Sequence, residues 1–147
     1  MTTAREPGST GVRSRLLLAA LLTVTGVAHV LFPGPFERIV PRWLPGSPRA
    51  LNQLAAVAEL GSAALLSTGR TARAGGLLAV VTLAGVWIAN IHAARQGGYR
   101  ALPGWLGGPT VAWLRVPLQL PLLWWAASIA RRTDIDRRPH RPSEDQR

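Results

Sequence analysis

The stretch Thr110–Ala130, TVAWLRVPLQLPLLWWAASIA, decides how the rest of the chain is read. It is an apolar run of about 21 residues, long enough to cross a bilayer as a helix, yet it carries Arg115 and Gln119. A charge at the centre of such a helix costs roughly 2.5–3.5 kcal/mol on insertion scales, so it ordinarily faces a partner or a polar cavity. Four residues apart, Arg115 and Gln119 share one helix face. Pro117 and Pro121 remove two backbone donors and leave nearby carbonyls to be satisfied in other ways. This run needs polar company.

Three other apolar runs supply it. Leu16–Phe32 ends near His29, Ala50–Thr68 holds Glu59 near its centre, and Ala74–Ala94 closes on Asn90 and His92. The expected fold is all-α, an integral membrane four-helix bundle over residues 16–130. Between the first two runs, Pro33–Arg49 has five prolines and an amphipathic set around Phe36, Ile39 and Trp43, which predicts an interfacial segment. Residues 1–15 and 131–147 are polar and arginine-bearing, and read as disordered tails. The basic start and apolar core of the first run also fit a signal peptide, but no A-x-A site follows, so it is read as a retained helix.

The 147 residues contain no cysteine, which excludes disulfides, thiol relays and iron–sulfur clusters. All 17 basic residues are arginine, and with abundant Ala, Leu and Gly this is the usage of a GC-rich bacterial genome. The net charge of +10 does not mark nucleic acid as a partner, because the arginines sit mainly at the ends of the apolar runs. Eleven lie at the ends carrying the termini and the 69–73 turn, against five in the other two loops. The positive-inside rule then puts both termini in the cytoplasm of a multi-pass protein of the bacterial inner membrane.

In that topology the polar residues fall in the outer half of the bilayer. At 1.5 Å per residue, His29, Asn90 and His92 lie roughly 3–6 Å from the outer ends of their runs, Arg115 about 8 Å, and Glu59 and Gln119 about 13 Å. His29, Glu59, Asn90, His92, Arg115 and Gln119 are therefore the candidate ligand pocket. Glu59 is expected to pair with Arg115, since two opposite charges left apart in a narrow bundle would each be uncompensated. The bland alternative is that all six merely hydrogen-bond across helices and fix the packing. His29 and His92 could ligate a haem, but nothing turns them toward each other, and haem is not expected. No metal is expected, because His29, His92 and Glu59 differ in depth by up to about 10 Å. There is no Ser–His–Asp set, phosphate loop or paired-carboxylate site, so no reaction is assigned.

Four motifs, in order, resemble the small DoxX-like family of bacterial membrane proteins. They are Gly26-Val-Ala-His29 with Phe32-Pro33 and Phe36-Glu37-Arg38-Ile39-Val40-Pro41; Ala58-Glu59-Leu60-Gly61; Ala89-Asn90-Ile91-His92; and Arg115-Val-Pro117-Leu-Gln119. The resemblance covers roughly Arg15 to Trp125. It implies four membrane helices and, by analogy, an accessory component of a membrane redox system that binds a quinone or similar lipophile and has a membrane redox partner. In that picture His29 or His92 hydrogen-bonds a carbonyl, Glu59 handles a proton and Arg115 sets its charge. Two other classes stay open: a non-catalytic scaffold or lipid-binding protein, and a small proton-coupled transporter or membrane isomerase using Glu59. A transporter of this size would need to form a homo-oligomer to leave room for alternating access.

Overall fold

Prolines and glycines divide the chain, and helices fill the intervals. A computed structural model describes residues 7–135, and all the regular structure among them is helical. Four long helices, α1 (Pro7–Leu31), α3 (Pro48–Ser67), α4 (Ala72–Arg95) and α6 (Pro109–Ile135), are joined with two short ones, α2 (Pro33–Glu37) and α5 (Gly104–Gly107). Pro33 ends α1, because the residue before a proline is driven out of helical geometry; Phe32 has φ −128° and ψ 60°. Ser47 caps α3 by accepting the Ala50 amide at 3.1 Å, with Pro48 as the first helical residue. The end of α4 is wrapped by Gly97 and Gly98, both at positive φ, with the Gly98 amide returning to the Ala93 carbonyl at 2.9 Å.

The long helices pack in chain order, α1 on α3, α3 on α4 and α4 on α6, while α1 and α6 touch more sparingly. On α3 the buried stripe Asn52, Ala56, Glu59, Ala63 and Leu66 advances by alternating steps of four and three, the spacing that faces a neighbouring helix. Close approach between α3 and α4 depends on Gly75: a Cβ there would lie 2.8 Å from the Leu66 amide nitrogen and 2.9 Å from the Leu65 Cβ. The main core joins Leu18 and Leu22, Ala63 and Leu66, Ala79 and Leu83, and Ala126 and Ile129. It occupies the end of the molecule where α1 starts and α6 finishes.

The outward faces are apolar on all four long helices. Leu17, Val24 and Val30 on α1, Val57 on α3, Leu77 on α4 and Leu114, Leu118 and Trp124 on α6 are all exposed. The polar side chains His29, Asn52, Glu59, Ser62, Thr82 and Gln119 are buried instead. Two helical stretches are long and apolar enough to cross a membrane, Gly11–Leu31 within α1 and the whole of α4.

Boundaries differ from the apolar runs mainly at the chain ends. Helix α1 starts at Pro7 and so takes in the stretch before Leu16 that composition marked as tail. It is tied there to both α3 and α6: the Arg15 guanidinium donates to the Leu66 carbonyl of α3 at 2.6 Å, and Ser14 accepts from the Trp125 indole of α6 at 2.8 Å. At the other end α6 continues through Arg131 to Ile135. The rest of the two expected tails, residues 1–6 and 136–147, lies outside the described residues. Pro117 and Pro121 lie inside α6 without ending it, both on its exposed face.

Candidate functional site

At the end opposite the main core, the four long helices part around a cavity of about 760 Å³. The C-terminal turn of α1, α2 and the turns after it, the first half of α3, α4 between Leu78 and Asn90, the 99–102 loop and Arg115 of α6 surround it. Most of the lining is apolar, as in small-molecule sites generally. Leu54 and Val81 line it and are still 64% and 70% exposed, so it opens sideways between α3 and α4.

One polar cluster forms its wall on the α1–α3 side. The His29 ring stacks on Phe36 with centroids 3.8 Å apart, which holds the end of α1 against α2. Asn52 clamps the same histidine twice. Its Oδ1 lies 2.6 Å from His29 Nδ1, and its Nδ2 donates to the His29 carbonyl at 3.1 Å. Since Nδ2 is committed as donor, Oδ1 accepts, which places a proton on Nδ1 and turns Nε2 toward Glu59. Glu59 Oε1 lies 3.8 Å from Nε2, while Oε2 is buried with no hydrogen-bond partner among the described residues. Glu59 itself is only 2% exposed and does not line the cavity; His29 stands between them.

The second cluster belongs to the opposite wall. Tyr99 is held in place by a glycine-tight loop. Its amide donates to the Gly107 carbonyl at 2.6 Å, and Gly98 leaves no room for a Cβ beside residues 107 and 108. Its hydroxyl donates to Asn90 Oδ1 at 2.7 Å, and the Arg115 guanidinium lies over its ring, 4.6 Å from the centroid. Burial pushes the Tyr99 phenol above its ordinary value, with the nearby Arg115 charge opposing, so the hydroxyl remains a donor at neutral pH.

Of the six residues singled out from sequence, His29, Asn90 and Arg115 line the cavity, and Glu59 is immediately behind it. His92 and Gln119 are not in the lining. His92 Nε2 contacts Gln96 Nε2 at 2.8 Å one turn on, and Gln119 donates to the Leu83 carbonyl at 3.2 Å, fastening α6 to α4. The expected Glu59–Arg115 ion pair is not formed. Glu59 faces α1 and meets His29, whereas Arg115 is on α6, which packs on α4. Asn52 and Tyr99 were missed as site residues. Asn52 lies seven residues before Glu59 on the same α3 stripe, a spacing that places both against α1.

Residues 18–130 match the model of a family described as a domain of unknown function, DUF8561. The chain belongs to that family. No curated protein and no solved structure matches it. The DUF8561 span begins at Leu18 in the main core and closes at Ala130 near the end of α6, so it contains both polar clusters and the whole cavity.

Proposed function

We propose that this DUF8561 protein is an integral membrane four-helix bundle whose cavity binds a lipophilic small molecule. The observation that carries the reading is the sideways opening of an apolar cavity between two helices whose outer faces are apolar. A molecule dissolved among lipid tails could pass in without crossing water. Membrane residence is supported by the inverted distribution of side chains: charge and amide groups inside, Leu or Val outside on every long helix, and Trp113 and Trp124 outside on α6. In this reading α3 and α6 also span, their Glu59, Arg115 and Gln119 being enclosed by the bundle. In the same reading the cavity end faces outward and both termini lie in the cytoplasm of a bacterial inner membrane, supported by the arginine distribution. The DoxX-like resemblance makes the natural setting a membrane redox system, with a quinone as one ligand of this class.

Two experiments test this. Mass spectrometry of organic extracts from the gently purified protein should find a retained lipophile, with an absorption spectrum of the same sample to identify a quinone. Gly85→Phe should lose it: Gly85 lines the cavity, and nothing lies within 4 Å of a Cβ built there, so the ring fills space that is otherwise empty. Retention of the lipophile by that variant would reject the cavity as its site. For topology, cysteines at Gly34, Gly69 and Gly104 enter open positions in a cysteine-free chain. An impermeant thiol reagent outside intact cells should label the first and third only, and labelling of Gly69→Cys alone would reverse the orientation.

A further inference from the structure

The polar chemistry facing the cavity has one sign. Arg115, His29, Asn52, Thr82, Asn90 and Tyr99 are the side chains there that carry charge or hydrogen-bonding groups, and no Asp or Glu among the described residues lines it. Several of these groups are already engaged. Asn52 is committed to His29 through both of its polar atoms, and the Thr82 hydroxyl donates to the Leu78 carbonyl at 2.9 Å. The Tyr99 hydroxyl donates to Asn90 Oδ1, which leaves Asn90 its amide N–H groups to offer. The Arg115 guanidinium has Tyr99 as its neighbour, lying over the ring and close to the hydroxyl, and no carboxylate pairs with it among the described residues. What the cavity presents is a planar cation and an amide donor, side by side through Tyr99, above an apolar chamber.

A guanidinium without a carboxylate partner is the complement of one, which it binds through two parallel N–H···O bonds. In surroundings of low dielectric that charge-assisted pair is far stronger than in water. The volume, about 760 Å³, lies in the range that encloses a single drug-sized or single-chain molecule. We propose that the cavity binds a single-chain amphiphile bearing one carboxylate, its head held by Arg115 and Asn90 and its tail lying along Leu54, Ala58 and Val81 toward the opening between α3 and α4. The proposal rests on the lipophile-binding reading and narrows it, since a neutral quinone would leave the Arg115 charge uncompensated.

The test is competition binding on the full chain in neutral detergent at mildly alkaline pH, with a fluorescent fatty acid as reporter. Palmitate, hexadecanol, a lysophosphatidic acid of the same chain length and a short-tailed quinone are the competitors. Palmitate should compete at least about ten-fold better than hexadecanol. Arg115→Gln should bring the two within about two-fold by weakening the acid alone, Arg115→Lys should recover part of the difference, and Gly85→Phe should abolish binding of both. Equal competition by acid and alcohol in the unsubstituted protein would overturn the carboxylate assignment and leave the cavity reading standing. Stronger competition by the quinone or the phosphate head would overturn it in favour of those chemistries. Failure of every competitor, or undiminished binding by Gly85→Phe, would reject the cavity reading itself. Should Arg115→Gln fail to fold, the acid-to-alcohol ratio in the unsubstituted protein and in Asn90→Ala, where it should fall, decides the matter.

Discussion

The two ends of this bundle are built on opposite plans. Where α1 starts and α6 finishes, glycine and alanine let backbones approach until no atom can be added. A Cβ on Gly75 would strike the α3 backbone, and one on Gly76 would come within 3.0 Å of the Ala130 amide nitrogen. Where α1 finishes and α6 starts, Gly85 on the same helix α4 faces open space. Small residues therefore mean contact at one end and vacancy at the other. The difference comes from the connections. Three residues after Thr68 are enough to turn α3 into α4, with Thr71 donating to the Leu65 carbonyl at 2.6 Å. The longer segments before α3 and after α4 put α2 and the Tyr99 loop between the helix ends and prop them apart.

That contrast can be broken from either side. Leu66→Ala at the close-packed end should have the largest effect, a loss of about 2–5 kcal/mol, because Leu66 is fully enclosed and its neighbours have little freedom to collapse. Unfolding in a detergent–denaturant titration measures it; a loss below about 1 kcal/mol would mean the end is not close-packed. Next comes Gly75→Val, expected to cost about 1–3 kcal/mol by forcing α3 and α4 apart, read on the same titration. At the cavity end, a double-mutant cycle of His29→Ala and Asn52→Ala should show coupling of about 1 kcal/mol or more, since each single change strands the other's buried polar group. The cycle of Glu59→Gln with Arg115→Leu should be additive within about 0.5 kcal/mol, because those side chains meet different partners. Opposite in sign and the smallest of the single substitutions, Gly85→Ala should stabilise by roughly 0.5–1 kcal/mol, the helix gaining a better former at no steric cost. A destabilising Gly85→Ala would show that the cavity is closed in solution.

The helices were legible because each apolar run is long and bounded by Pro, Gly or Arg, and the four observed long helices overlie the four runs. The start of α1 was not, because Pro7–Arg15 has the composition of a tail and is fixed in place by α3 through Arg15. Position along the bundle was equally legible: His29, Asn90 and Arg115 do converge on one end. Rotation about each helix axis was not. Glu59 and Arg115 are at compatible depths, but which neighbour each faces depends on the order of packing, and that order is set by contacts spread over whole helices. Asn52 was countable from its place on the Glu59 stripe, but an asparagine one turn into a helix does not by itself announce a partner. Tyr99 carried no local signal at all; the glycines that bend its loop back onto residue 107 determine its neighbours.

The pairing of α1 with α3 has a consequence for how the chain is made. His29, Asn52 and Glu59 all reside on the first two long helices, and their mutual contacts are complete without α4 or α6. Synthesis delivers these residues in that order, so a nascent chain halted in the 68–71 turn already contains the whole cluster. In the membrane reading, the first hairpin can leave the insertion machinery with its buried carboxylate already facing a histidine. The second hairpin then inherits a template: Gly75 meets an α3 surface that exists before it does, Gly76 waits for Ala126 and Ala130 of α6, and Arg115, the last cavity residue to be made, completes the wall.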